Sequence, residues 1–539
     1  MKNRYRLPVV LLVVLLAALS LQGCLLSDAP VEDSPAPAEP TVEDDIPIVP
    51  SVVSATPTRG RFTLRYDSGS ALNPITSMSS DNILLSSLMY ESLFVLDSDL
   101  MVEPVLCESW SQEDEYTYVF EIKPDIAMSD GSYLTAEDVV YTLKQAMRTG
   151  RFVNRLRIID SVTAEDDLTV SVKLNMSNSR FINLLDVPII KNGSIDSDIP
   201  PGTGPYVFSD SPFIRLNSFP MYRDLAALPI MMIYLIECDN NEIAELFDDG
   251  ILSLLWDDPS DSFDIRLNRL HEKLYYETTA LQFIGFNMRS IALRDQDVRR
   301  AIGCAIDRQY IAENIMPRQA LASPLALSPS YRYYDVAWEQ TSTLSPLREM
   351  AFLLDYAGLK DFNDDSFLEY PDRSGGYYSF FIDFIVNSEN IHKIQVANMI
   401  AETLMRAGLN ISVRELPPER FMEALQTGDF DMYYGEIILS ADFNLSPLLL
   451  PGSLNYGNTG SYEYEQYVTD FLFATTEYGE SVAAKLLCDE IRINAPFVPI
   501  VYKKYVIYMP MGAISGASPS QSGAFCNITD WTIDFTMLS

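Results

Sequence analysis

The alternation of apolar and polar positions divides the chain, from about residue 61 onward, into short strands and amphipathic helices. Arg61-Phe62-Thr63-Leu64-Arg65-Tyr66 alternates and predicts an opening strand. Tyr116–Ile122 and Thr169–Leu174 predict two more, and Gln282–Asn287 reads as a buried one. Val139, Leu143, Ala146 and Met147 recur at helical spacing. They predict a helix capped by Thr135, with Asp138 in capping-box position three residues on. Asp130-Gly131 before it is a tight turn, because glycine tolerates a positive φ. Val298, Ile302, Ala305 and Ile306 line one face of a second helix that carries Cys304 and ends near Asp307 and Arg308. Ser379–Val386 then reads as a strand, Ile394, Ala397 and Leu404 as a helix face, and Leu409, Ile411 and Val413 as a strand. A strand, crossover helix and strand of this length imply a parallel pair in an α/β domain. Val498–Tyr502 is a late strand.

The N-terminal pattern is different. Lys2, Arg4 and Arg6 precede the uncharged apolar run Leu7–Leu19, and Leu21-Gln22-Gly23-Cys24 follows. The apolar run is short of the roughly 20 residues a spanning helix needs. The expectation is a lipoprotein signal peptide over residues 1–23, cleaved before Cys24, whose sulfur carries a lipid. An uncleaved anchor helix is the alternative. Residues 24–57, acidic and rich in Pro, have neither period and read as an extended tether. The body is thereby placed on the outer face of the cytoplasmic membrane, extracellular or periplasmic.

A chain of 539 residues exceeds one core and implies two or three domains. Its 75 acidic against 38 basic residues give a net charge of -37, which argues against nucleic acid as a partner. Cys107, Cys238, Cys304, Cys488 and Cys526 form no close pair, so zinc is not indicated, and their pairing is open. Neither of the two histidines, His271 and His392, sits near a nucleophile motif, and nucleophile-elbow, HExxH and Walker patterns are absent. A glycosidase would need a carboxylate pair that cannot be nominated among 75 acids, so an enzyme is disfavoured.

Three blocks carry a resemblance. The first is the string Met128–Val139, completed by Gly202-Thr203-Gly204-Pro205-Tyr206. The second is the strand ending Phe286-Asn287 with the helix Val298–Arg308, and the third is the strand–helix–strand unit from Ser379. Together they resemble the extracellular solute-binding proteins of family 5, the oligopeptide-, dipeptide- and nickel-binding subunits of ABC importers. The resemblance implies an α/β fold of the two-lobed periplasmic-binding-protein type (class II, hinged lobes), with a smaller third domain inserted in lobe one. Lobe one would comprise residues 58–90, 203–280 and 496–539, the inserted domain 91–202, and lobe two 281–495. The function implied is capture of oligopeptides in the cleft and delivery to membrane permease subunits, by a monomer without cofactor or metal. Binding of an oligosaccharide, nickel or haem complex, or reception of a peptide signal, are the alternatives.

The same resemblance nominates site residues. In peptide-binding members the loop matching Ser440–Pro447 carries an Asp that pairs with the ligand's α-ammonium group, a role that falls on Asp442. Leu439 stands where the family has Trp. The competing reading of Asp442 is an Asp that initiates a loop turn. Tyr434, Glu436 and Phe443 are further cleft candidates, and the loop at Asn73 matches one that contacts ligand.

Overall fold

The long antiparallel strands His271–Phe286 and Phe497–Pro510 pair from His271 opposite Pro510 to Gly285 opposite Phe497. The computed structural model describes residues 61–259, 265–339, 342–372, 374–452, 454–458 and 460–538. The signal peptide, Cys24 and the tether expected from sequence lie outside the described residues. Along the paired strands the register shifts between Glu277 and Leu281 and again between Gln282 and Phe283. On one side of these shifts Tyr276, Ile507 and Met509 join an apolar cluster with Leu64 and Ile233. On the other, Ile284, Val498 and Val501 pack with Val298 and Phe384. Separate apolar clusters on the two sides of these irregular strands make two lobes with a hinge between them.

In lobe one, Thr63–Arg65, Met232–Ile236, Arg215–Ser218 and Tyr206–Ser209 form a sheet in that order, the first two strands parallel. The inserted segment adds an antiparallel sheet ordered Cys107–Gln112, Thr117–Ile122, Thr169–Leu174, Ile159–Ala164. Its inward residues Phe120, Val170 and Val172 belong to the same cluster as Leu64, so the segment has its own sheet but shares lobe one's core. Lobe two is built on Met432–Ile438, Ile382–Asn387 and Ile411–Leu416, with the parallel pairing implied by the strand–helix–strand pattern. The crossover helix Ile391–Arg406 buries Val396, Ala397, Ile400 and Leu404.

Local signals hold where the chemistry is local. Thr135 N and Oγ1 donate to Asp138 Oδ2 at 2.9 and 3.0 Å at the start of the helix Ala136–Ala146. The buried Asp138 also accepts from Asn192 N at 2.9 Å and pairs with Lys191, tying this corner to the next loop. Gly204 is required by close approach: a Cβ there would lie 2.3 Å from Met89 C and 2.6 Å from Tyr90 N.

Two expectations shift. The strand read from Ser379 begins at Ile382. The helix over Val298 closes after Cys304, and Asp307 Oδ1 accepts from Tyr310 N at 3.0 Å to start a short second one. Its arginines are structural, as their position suggests. Arg299 Nε donates to Ala495 O and Arg308 Nε to Pro499 O, both at 2.9 Å, fastening the helix to the entry of a hinge strand. The five described cysteines are all free thiols.

Candidate functional site

A cavity of about 680 Å³ lies where lobe one and the inserted segment face lobe two, within the size range of ligand sites. Lobe one contributes the helix face at Ile83 and Leu84 together with Tyr90, Trp256, Tyr276 and Tyr505. Lobe two contributes Ile437, Leu439, Ser440 and Asn444, and the inserted segment contributes Arg151, Arg155 and Asp186. A larger hollow of about 1610 Å³, around Arg308, Leu347 and Arg406, is bordered by lobe two alone. Hinge motion cannot close a hollow that one lobe borders, so the cleft is the candidate site.

The cavity has an aromatic wall and a charged one. Trp256 Nε1 donates to Tyr276 OH at 2.5 Å, and the Trp256 and Tyr505 rings meet edge-on at 5.3 Å. Burial raises the pKa of Tyr276, so this wall offers neutral hydroxyls. Glu91 is neutralised by Arg223, whose Nη1 and Nη2 donate at 2.8 and 2.6 Å. The inserted segment is different: the guanidinium carbons of Arg151 and Arg155 each lie 4.7 Å from the Phe152 ring centroid, and Asp186 is the acid beside them.

The expected site residues form the shell behind these walls. Asp442 is 1% exposed; its Oδ2 accepts from Asn178 Nδ2 at 2.8 Å and its Oδ1 from Ser440 Oγ at 2.5 Å and Asn444 N at 3.2 Å. The bond to the Asn444 amide is the turn-initiating contact, so both readings of Asp442 meet in one side chain. All three donors are neutral, and two of them, Ser440 and Asn444, border the cavity. Phe443 is buried against Tyr331 and Tyr502, at 5.4 and 6.3 Å between centroids. Tyr434 OH donates to Gln282 Oε1 at 2.8 Å, and Gln282 Nε2 to Glu436 Oε2 at 3.0 Å. Glu436 also pairs with Lys503 at 2.7 Å and Lys393 at 2.9 Å. The buried Asn73 donates to Ile195 O at 2.8 Å and Ser197 O at 3.0 Å. Asn73, Tyr434, Glu436 and Phe443 therefore bond and pack within the protein here. For the two strand residues the reason is register: pairing with His271–Phe286 sets Gln282 directly opposite Glu436 and Ile284 opposite Tyr434, which brings Gln282 within reach of both side chains.

The cavity-facing residues are the next ones along, from Ile437 to Ser440, and Leu439 is among them. The arginines were absent from the sequence reading. A signal existed: residues 144–157 carry Lys144, Arg148, Arg151, Arg155 and Arg157 and no acid, in a chain of net charge -37.

Comparison with known proteins agrees with this architecture. The family model of bacterial extracellular solute-binding proteins, family 5 (middle region), matches residues 101–454. The glutathione-binding protein GsiB of Pectobacterium atrosepticum is 24% identical over 473 residues, 81% of this chain and 87% of that protein. The oligopeptide-binding protein AppA of Bacillus subtilis is 22% identical over 382 residues, 67% of this chain and 69% of that protein. Among solved structures, AppA of Bacillus subtilis in complex with a nonapeptide superposes with a TM-score of 0.64 at 20% identity, covering 89% of this chain and 100% of that one. The substrate-binding protein CtaP of Listeria monocytogenes gives 0.72 at 19% identity, over 88% and 100%. At such identities the superpositions speak for the fold.

Proposed function

The chain belongs to family 5 of the bacterial extracellular solute-binding proteins, and from that premise we propose that it is the substrate-binding subunit of an ABC importer for short peptides. It captures the peptide by closure of the two lobes, carries out no turnover, and passes the ligand to membrane permease subunits. A lipid on Cys24 and the tether to about residue 57 hold it as a monomer at the outer face of the cytoplasmic membrane.

The observation that carries this reading is Asp442. A carboxylate withdrawn from water needs a cation or several strong donors. In this structure it has three neutral donors, two of them from the cavity wall. A peptide α-ammonium entering beside Ser440 and Asn444 would supply the missing charge, with Asn178 yielding its place. Main-chain hydrogen bonding along the cleft would leave the site tolerant of side chains. Tyr434, Glu436, Phe443 and Asn73 then support the wall that aims Asp442.

Calorimetric titration of residues 58–539 with tri- to hexapeptides, free and N-acetylated, tests the reading. Heat with the free peptides that is lost on acetylation and in Asp442→Asn is expected. Equal binding of acetylated and free peptides would remove Asp442 from the role, and no binding would overturn the peptide assignment.

A further inference from the structure

The crossing strand His271–Phe286 breaks register between the lobes. Glu277 stands opposite Lys504 and Leu281 opposite Tyr502, so Thr278, Thr279 and Ala280 span the place of Lys503 alone. Such a bulge takes backbone groups out of the ladder, and the buried ones need other partners. Thr278 Oγ1 acts locally, donating to Lys503 O at 2.8 Å and accepting from Ala280 N at 3.1 Å. Thr279, fully buried, is held from both lobes. From lobe one, Gln521 Oε1 accepts from Thr279 N at 2.9 Å and Gln521 Nε2 donates to Thr279 Oγ1 at 2.8 Å. From lobe two, Leu439 O accepts from Thr279 Oγ1 at 2.5 Å and Leu439 N donates to Thr279 O at 3.1 Å.

The loop carrying Gln521 belongs to lobe one: Ala524 and Phe525 pack in the cluster of Leu64, and Ser522 Oγ accepts from Leu96 N at 2.8 Å. The direction of one proton orders the arrangement. The Thr279 hydroxyl has a single hydrogen, which goes to Leu439 O, so residue 521 must offer a donor to Oγ1 and an acceptor to the amide. A side-chain amide supplies both, whereas a carboxylate would draw the hydrogen away from lobe two. Gln521, Leu439 and Ser440 all line the cavity, and Ser440 donates to Asp442. The relay therefore runs along the wall that a ligand touches.

We propose that Gln521 is a positioning residue for ligand capture. Through the Thr279 hydroxyl it holds Leu439, and with it the lobe-two wall, in the closed setting of the hinge. The ligand is gripped in that setting, so apparent affinity scales with the fraction of molecules that occupy it. This rests on capture by hinge closure, as read above, and not on the peptide character of the ligand.

Hydrogen exchange of the ligand-free full chain, read by mass spectrometry, is the test. The distant reporter is the Ser179 amide, which donates to Leu472 O across the lobes at 3.0 Å. Gln521→Glu keeps an acceptor for Thr279 N but turns the hydroxyl away from Leu439 O. The expected result is at least tenfold faster exchange in the fragments carrying Ser179 and Leu439, with Thr279 still protected. Thr279→Val should show the same rise at Ser179 and Thr279→Ser should not. Adding Gln521→Glu to Thr279→Val should change nothing further. Faster exchange confined to the fragment of Thr279 would reduce Gln521 to a local support and overturn the proposal, as would unchanged exchange at Ser179 in Gln521→Glu and Thr279→Val. If Gln521→Glu does not fold, the Thr279→Val and Thr279→Ser pair decides by the same reporter. Titration with Ala-Ala-Ala separates the two readings. Tenfold weaker binding to Gln521→Glu is expected, and equal affinity despite faster exchange would cut the relay from capture. No binding to wild type would remove the peptide assignment while the exchange result still decides the relay.

Discussion

Arg180 of the inserted segment reaches into lobe two, where its Nη1 lies 3.0 Å from Glu480 Oε1 and its Nη2 donates to Phe471 O at 2.8 Å. Its guanidinium carbon sits 3.8 Å from the Phe471 ring centroid, and Tyr331 OH donates to the same carboxylate oxygen at 2.6 Å. Ser179 beside it donates to Leu472 O and Ala474 O, and Asn178 to Asp442. Three successive residues thus latch the inserted segment to lobe two.

Breaking the latch should favour the open form. Losing one partner of a buried pair costs about 3–5 kcal/mol. Arg180→Ala is expected to enlarge the ligand-free radius of gyration in small-angle scattering and to weaken peptide binding tenfold or more. Unchanged scattering and affinity would mean that the contact persists when the cleft opens.

Lys503, fully buried, bridges Asp258 and Glu436 at 2.5 and 2.7 Å on the strand that crosses the hinge. Lys503→Met removes the buried cation that both carboxylates share, leaving Glu436 with Lys393 and Gln282, and should destabilise the fold by about 3–5 kcal/mol. Glu436→Gln should cost less, since Lys503 keeps Asp258. Urea unfolding of the two variants checks the order, and equal losses would contradict it.

The Thr135–Asp138 capping box should contribute measurably. Asp138→Ala removes the cap and the partner of Asn192 N and Lys191. The cap alone is worth about 1 kcal/mol, and leaving Asn192 N unpaired adds about 1–3 kcal/mol. A shift in the urea midpoint equivalent to less than about 1 kcal/mol would show that solvent replaces these bonds.

Alkaline pH should weaken the fold. Burial pushes the thiols of Cys107 and Cys488 up to about 12, above their unfolded values near 9. Each folded-state pKa is raised, so the contribution is complete below about pH 9 and is lost as pH rises toward 12. Buried tyrosines such as Tyr90 act in the same direction. The Cys107→Ala, Cys488→Ala double variant should therefore show a smaller drop in urea midpoint between pH 8 and pH 10.5 than wild type. Identical drops would assign the whole effect to tyrosines.

The site was less legible than the fold, for a reason visible at particular residues. Asp442 was nominated from its loop string, but its three donors come from positions 178, 440 and 444, and the first lies 264 residues away. Nothing near Tyr434 or Glu436 announces that Gln282 and Lys503 will engage them across strand pairings. Arg151 and Arg155 were visible as charge, but only the fold sets them on the cavity wall beside Asp186.

The sequence by itself determined what neighbours along the chain decide: the turn at Gly131, the cap at Thr135, the parallel unit over residues 382–416, and the family whose signature strings these are. Those follow from backbone sterics and periodicity, which act over a few residues. Tertiary structure alone decided which charges are compensated. Pairing Arg180 with Glu480 and closing neutral donors around Asp442 depend on segments hundreds of residues apart meeting in a low-dielectric cleft, where each unmatched charge is costly enough to matter.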